Sequence, residues 1–484
     1  MTNEVIHSPI GKVPPNGNPL VSHRFGADPY VLVFKNRVYV FNTDDVLEYD
    51  EHGGIKDNSY STINRISVLS SDDLVNWTDH GVIPVAGSEG IAKWATQSWA
   101  PAAVHKCIGG KDQFFLYFAN NASSIGVLKS DNPTGPWVDP IGKPLITRDT
   151  AGVEGVVWLF DPAVLVDDDG QAYIYFGGGL REGQHEQPDT ARVMRLGEDM
   201  ISVTGEARII PAPFMFEDSG IHKTEGIYYY TYCSNFYTGS RSDGSPPAGE
   251  IAYMTSDNPM GPWTYKGTIL KNPGHFFGVS GNNHHAIFQF QNAWYIAYHA
   301  QTLSKAMGTS KGYRSTHINR INYDEDGFIK EVAADLKGVE QIKPLNPFIR
   351  TEAGTLAWSA GISVQMLQES VSLQTGASRM ILTDIHHGDW IAVSGVDFGN
   401  GAASFSASML NNGEGVGWIE LHLDTVNGRL IGMLEVPITY GKWKTIATNI
   451  SDASGIHDLY LLFKGASKQP LFQIESWQFK SSIS

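Results

Sequence analysis

The segment Phe160–Phe176, FDPAVLVDDDGQAYIYF, decides how the rest of the chain is read. A small polar pair, Asp161-Pro162, leads into the apolar run AVLV, the turn DDDG follows, and an aromatic run, AYIYF, closes the unit. Short β-branched and aromatic runs split by a polar turn form antiparallel strand pairs. The same plan recurs at Gly26–Phe41 (GADPYVLVFKNRVYVF), Ser98–Phe118, Phe216–Tyr232 and Asn283–His299. The leading positions Asp28, Ala100, Asp161, Glu217 and His284 are spaced 72, 61, 56 and 67 residues apart. A second repeat follows behind: SDNPTGPW at Ser130–Trp137, SDNPMGPW at Ser256–Trp263 and the looser SSDDLVNW at Ser70–Trp77. A four-strand unit recurring at this period predicts an all-β chain whose first part is a five-bladed β-propeller. Ordinary hairpins need turn chemistry, but not an identical eight-residue frame.

The pattern stops near residues 345–355, so the propeller is assigned to residues 1–345. Residues 350–484 alternate short strands with Gly, Asn and Asp turns and read as a separate, jelly-roll-like β-sandwich. The whole chain has 484 residues, and 35 Lys and Arg stand against 51 Asp and Glu, a net charge of −16. That balance disfavours a nucleic-acid partner and leaves neutral substrates unaffected. No apolar run reaches the roughly 18–20 residues of a membrane-spanning helix. The two cysteines, Cys107 and Cys233, allow one disulfide at most. The first residues lack the basic start and apolar core of a secretory leader, so the expectation is either a cytoplasmic protein or a secreted one whose leader has been removed, with the cytoplasm favoured.

In a propeller the first strand of each blade lines the central axis, so residues at its start converge. Of the five leading positions, Asp28, Asp161 and Glu217 are carboxylic acids. Acids crowded into one pocket repel, and at least one keeps its proton near neutral pH. One ionised carboxylate beside one protonated carboxyl is what general acid/base chemistry requires. Asp218 competes with Glu217, but strand alternation sends neighbours to opposite sides, and the repeat frame selects Glu217. Two other motifs carry no chemistry. Gly308–Gly312 fits G-x-S-x-G but lacks the strand and helix of a nucleophile elbow. Asp167–Gly170 resembles a calcium loop but sits between strands without the downstream acid.

The set GADP, SWAP, FDPAVLVDDDG, FMFEDSGIHK and GNNHHAIF resembles glycoside hydrolase family 43 over roughly residues 20–345. FEDSGIHK and NNHHAIF are most similar to its arabinoxylan arabinofuranohydrolase and β-xylosidase branch. The resemblance implies an inverting glycosidase releasing α-L-arabinofuranose or β-D-xylose from arabinoxylan or xylo-oligosaccharides. It implies Asp28 as general base, Glu217 as general acid and Asp161 as the residue that orients the acid and raises its pKa. Inversion requires room for a water, which sets the Asp28 and Glu217 carboxyls ~6.5–9.5 Å apart. The resemblance further implies a calcium ion near His284, shelled mostly by water because calcium prefers oxygen, and the neighbouring His285 is a candidate substrate-binding residue. It places Arg314 against the sugar, where a planar fork suits paired hydroxyls and a carboxylate. Trp99, Trp158, Phe236 and Tyr237 flank the leading positions and are candidate sugar-stacking surfaces. No organic cofactor is implied.

Residues 350–484 resemble carbohydrate-binding module family 6 in RTEAGTLAWSAGISVQ, GWIELHLDTVNGRLIGMLEVP, YGKWKTIATNI and GIHDLYLLFKG. Two positions depart from that family. Gly354 replaces the second acid of the opening Glu-Ala-Glu, and Ile446 stands where a tryptophan often follows Trp443. Both remove groups used for metal or sugar binding and favour a packing role for the module. Two rival functions remain on sequence: an endo-acting arabinanase or other glycosidase of the same fold, and a non-catalytic sugar-binding propeller. Three convergent acids argue against the second, since neutral sugars do not require three buried carboxyls.

Overall fold

Five antiparallel sheets follow one another along the chain in the computed structural model, which describes residues 5–309, 311–367, 379–413 and 415–482. The first contains β1 (Ala27–Phe34), β2 (Arg37–Thr43), β3 (Arg65–Ser71) and β4 (Trp77–Pro84). The second contains β5 (Trp99–Ile108), β6 (Lys111–Asn120) and β7 (Ser124–Ser130). The third contains β8 (Ala163–Val166), β9 (Ala172–Gly177), β10 (Ala191–Leu196) and β11 (Val203–Ile210). The fourth contains β12 (Met215–Thr224), β13 (Ile227–Ser234), β14 (Ile251–Ser256) and β15 (Thr264–Leu270). The fifth contains β16 (His285–Phe290), β17 (Ala293–Ala300) and β18 (Ser315–Ile321). Each sheet is a meander in sequence order. Two-residue turns fix several hairpins: Lys35-Asn36, Gly109-Gly110 and Glu225-Gly226 all take positive φ, as type I′ turns require.

The second strands are buried on both faces, which explains their near-continuous apolar spelling. In β13, Tyr228, Tyr230 and Tyr232 pack with Tyr173 and Tyr175 of the third sheet. Tyr229 and Cys233, on the other face, pack with Ile296 and Tyr298 of the fifth. Period-two alternation thus lets one strand join two neighbouring sheets. Similar shared cores join the first sheet to the second through Phe41 and Phe114, and the second to the third through Tyr117 and Ile174. The tryptophans of the eight-residue repeat fill these seams. Trp137 sits edge-on to Phe41 at 6.2 Å and Trp263 edge-on to Tyr175 at 6.2 Å.

The chain divides into two compact units. Phe25–Val68 and Val82–Gly338 hold the five sheets. Met1–Arg24, Leu69–Gly81 and Val339–Ser484 form the other unit, so the far end of the β3–β4 hairpin groups with the C-terminal part. That unit is a β-sandwich of two antiparallel sheets. One is built on Gln473–Ser481 and Ala402–Leu410, the other on Ile456–Gly465 and Gly417–Leu423. Their inner faces share one core that includes Phe405, Leu421, Leu461, Phe463 and Trp477. Ile446 packs against this core.

Helix is scarce, as expected: the described residues contain two one-turn helices, Gly274–Phe277 and Thr302–Ala306. The second precedes the G-x-S-x-G motif and a strand follows it, the reverse of the strand-then-helix order of a nucleophile elbow, so none forms. Ser310 of that motif lies outside the described residues. Asp167–Gly170 is the β8–β9 turn, with Lys223 paired to Asp167 and Asp168 at 2.6 and 2.7 Å. No helix among the described residues is long and apolar enough to cross a membrane. Cys107 is exposed, Cys233 is buried, and both are free thiols.

Candidate active site

A bulge shapes the start of the leading strands. Ladder pairing skips from Ala27 to Tyr30, from Trp99 to Ala102 and from Glu217 to Gly220. Within each skip one non-glycine residue takes the left-handed conformation: Asp28 at φ 47°, Ala100 at 41° and Asp218 at 70°. Asp161, at 48°, does the same just before β8. Such backbone is costly and persists where surrounding bonds hold it. Here the amide of one sheet's bulge is bound by the preceding sheet. The Ala100 N–H donates to Thr43 Oγ1 at 2.8 Å, the Asp218 N–H to Asp161 Oδ2 at 2.9 Å, and the His285 N–H to Asp218 Oδ1 at 3.1 Å. The Asp28 N–H donates to His299 Nδ1 of the fifth sheet at 3.0 Å.

These bonds correct the repeat frame. The residue equivalent to Asp28 and Asp161 in the fourth sheet is Asp218, not Glu217; in the fifth, β16 has no bulge, and His285 shares only the amide bond to the preceding sheet. Glu217 stands one residue earlier, in the row of Trp99 and Phe160. Sequence alone hid the shift because Pro follows Asp28, Ala100 and Asp161 but not Asp218.

Both rows reach one cavity of about 220 Å³. Asp28, Asp161 and Glu217 line it together, with His284 and Arg314 beside them. Trp99, Phe160, Tyr60, Ile63 and Asn282 complete the wall. The three acids that the repeat singled out therefore do meet. Asp218 does not line the cavity. It is fully buried behind it, its Oδ1 3.1 Å from His284 Nε2 and its Oδ2 against His285 Nδ1.

The acids differ in what surrounds them. Burial is the largest single influence and would push Asp28 up, but the Arg314 guanidinium, with Nη1 at 2.8 Å from Oδ1, and the histidines His284 and His299 together overcome it. Asp28 is held well below the usual carboxylate range. His284 is itself pushed down to about 3 by burial, so near neutral pH the charge comes from Arg314. Glu217 is raised well above the usual range, first by burial, then by Asp161 and Asp28. Its Oε1 is buried without a hydrogen-bond partner. Asp161 is raised as well, by burial and by Asp28. Near neutral pH the arrangement is one ionised carboxylate, Asp28, and a proton retained on the Asp161–Glu217 side.

The remaining expected residues fall into two groups. Trp99 is on the cavity wall, its indole N–H donating to the Tyr60 carbonyl at 3.0 Å. Trp158, Phe236, Tyr237 and His285 do not line the cavity. Trp158 packs edge-on to Phe160 and Phe216 at 5.3 and 4.9 Å, and Phe236 edge-on to Phe216 at 5.5 Å. Tyr237 stacks on His185 at 4.1 Å. His285 is buried with Nε2 at 2.8 Å from Thr231 Oγ1. For a metal at His284, both ring nitrogens face carboxylates, Nε2 toward Asp218 and Nδ1 3.4 Å from Asp28 Oδ1. Among the described residues no group of three His, Cys, Asp or Glu side chains could hold an ion. The side chains present do not fit a calcium cage.

Sequence reading missed Tyr60, Ile63, Phe160 and Asn282 on the wall, and Asp45 and His299 behind it. His299 accepts the Asp28 amide at Nδ1, so Nε2 carries the proton it donates to the Asn282 carbonyl at 3.0 Å. The pair Asp44-Asp45 at the end of β2 and the histidine near the end of β17 were the available signals.

Residues 17–329 match Glycosyl hydrolases family 43, and residues 352–481 match Carbohydrate binding module (family 6). An arabinoxylan arabinofuranohydrolase of Paenibacillus polymyxa is 52% identical over 98% of this chain and 76% of its own length. One from Bacillus subtilis (strain 168) is 52% identical over 96% of this chain and 92% of its own. The crystal structure of a family 43 arabinoxylan arabinofuranohydrolase from Bacillus subtilis, in complex with cellotetraose, superposes with a TM-score of 0.94. It covers 99% of this chain and 100% of that one at 51% identity. With an acid-lined cavity at the convergence of its sheets and a match across 17–329, the chain belongs to glycosyl hydrolases family 43 and is a glycosidase.

Proposed function

We propose that this glycosidase is exo-acting and inverting, and that it releases α-L-arabinofuranose, β-D-xylose or both from arabinoxylan or its oligosaccharides. One observation carries the mechanism: a single cavity holds Glu217, raised and with an unpartnered oxygen, and Asp28, held ionised by Arg314. Glu217 gives its proton to the departing glycosidic oxygen as the bond to the anomeric carbon breaks. Asp28 takes a proton from the water whose oxygen bonds that carbon from the opposite face. Asp161 raises Glu217 and orients it through the shared Asp218 backbone. The printed names of the 52% identical relatives support arabinoxylan as substrate. A cavity of about 220 Å³ suits one sugar ring better than a threaded chain, which supports exo action over the endo reading.

The five-bladed reading belongs to the same proposal. Five meander sheets in sequence, shared cores between successive sheets, and the Asp28–His299 bond from first sheet to fifth support it. A calcium ion beside His284 would take its shell from water rather than from a side-chain cage, and elemental analysis of the purified protein tests for the ion. The test of function is hydrolysis of nitrophenyl α-L-arabinofuranoside and β-D-xyloside side by side with arabinoxylan, with the anomer of the released sugar followed by NMR. Release of the inverted monosaccharide is expected. Retained configuration, or release of oligosaccharides from within the chain, overturns the mechanism or the exo assignment respectively.

A further inference from the structure

Asp45 is buried, contributes nothing to the cavity wall, and yet makes more bonds to the site than any acid in it. The Arg314 Nε donates to Asp45 Oδ2 at 3.0 Å and Nη2 to Oδ1 at 2.9 Å. The Arg314 backbone N–H also donates to Oδ2, at 3.0 Å. The paired geometry is the strong, directional form of a guanidinium–carboxylate contact. Tyr60 covers the guanidinium with its ring centroid 5.0 Å from the central carbon. The nitrogen left over is Nη1, and it donates to Asp28 Oδ1 at 2.8 Å.

This division of nitrogens matters because a free arginine would do something else. A guanidinium beside a carboxylate prefers a two-bond fork, which would occupy both oxygens of Asp28. Here the fork is already taken, and the described contacts to the Asp28 carboxyl all fall on Oδ1. Oδ2 is left for a proton.

We propose that Asp45 is a positioning residue for hydrolysis: by occupying the forked edge of Arg314, it restricts that cation to one hydrogen bond with Asp28 and keeps the second Asp28 oxygen open for the attacking water. This inference rests on the reading of Asp28 as the base. Asp45 acts through Arg314 and touches no substrate, so its removal lowers turnover more than binding.

The experiment is a double-mutant cycle on the full chain with nitrophenyl arabinofuranoside and xyloside. Asp45→Asn is expected to lower kcat about 10- to 100-fold with KM within about threefold. Asp45→Asn/Arg314→Met is expected to be no slower than Arg314→Met alone, because residues acting in series are not additive. A double variant slowed by the product of the single effects overturns the proposal, as does wild-type kcat in Asp45→Asn while Asp28→Ala is inactive. Wild-type turnover in Asp28→Ala overturns the base assignment itself, a different failure. Should Asp45→Asn not fold, the double variant removes both members of the buried Asp45–Arg314 pair and so leaves neither of them unpaired. Its kcat against Arg314→Met then decides the matter.

Discussion

The two sides of the cavity teach how one pocket can hold an acid and a base. Asp28 and Glu217 are both buried carboxyls, 5% and 8% exposed. On the Asp28 side stands a cation fixed by a second carboxylate, and Asp28 stays ionised. On the Glu217 side stand Asp161 and burial, Arg314 being the lesser influence, and the proton is kept. Residue type decides nothing here. The difference lies in which neighbour each sheet supplies, and the two pKa values are driven apart as acid/base work demands.

Removing either side is the most severe test. Asp28→Ala and Glu217→Ala are each expected to lower kcat by up to about 10⁴-fold while circular dichroism stays native. Added azide should restore turnover of an activated aryl glycoside in one variant and not the other, separating base from acid. Equal rescue of both would erase the contrast. Arg314→Met is the next sharpest. It should cost about 10²-fold in kcat and move the acid limb of the kcat/KM profile to higher pH, because Asp28 loses the charge that holds it down. An unmoved limb would mean that Arg314 does not set Asp28.

Glu217→Gln tests the other side through stability. The folded state keeps the Glu217 proton above the ordinary carboxylate pKa, whereas the unfolded chain releases it. Stability is therefore lost as pH rises from the unfolded pKa, ~4.3, toward the raised folded value. Thermal melts should show Glu217→Gln gaining more over wild type at pH 7 than at pH 4. A gain that is larger at pH 4 contradicts a raised Glu217. The smallest effects separate wall from packing. Trp99→Ala should raise KM about tenfold, in line with a lost stacking surface. Tyr237→Ala, outside the cavity, should leave kcat/KM within about threefold. Similar KM changes in both would show that the wall extends to Tyr237.

The repeat made much of this legible. Five leader-and-hairpin segments became five sheets, and Asp28, Asp161 and Glu217, widely separated in the chain, line one cavity. What escaped was the one-residue shift in the fourth sheet, because the proline that follows the left-handed residue elsewhere is missing after Asp218. Asp45, Tyr60 and His299 escaped for a different reason. Their partners lie far away along the chain: Asp45 and Arg314 are 269 residues apart, and Asp28 and His299 are 271. No local spacing encodes such pairs. The stacking candidates were chosen by their nearness to the leaders, but Trp158 and Tyr237 lie outside the strands and pack on Phe160 and His185. Trp99, the first residue of β5, lines the cavity.

The bulge amides, bound from one sheet to the next, carry a consequence for how new specificities can arise. A substitution at Thr43, Asp161 or Asp218 alters a side chain and also unpins the backbone of the following sheet, displacing the reactive group mounted there. These positions are closed to gradual change. The loop bearing Tyr60 meets the second sheet through backbone carbonyls, those of Tyr60, Ser61 and Ile63, which survive a change of side chain, so variation in preferred sugar can accumulate there while the hydrolytic machinery stays in register.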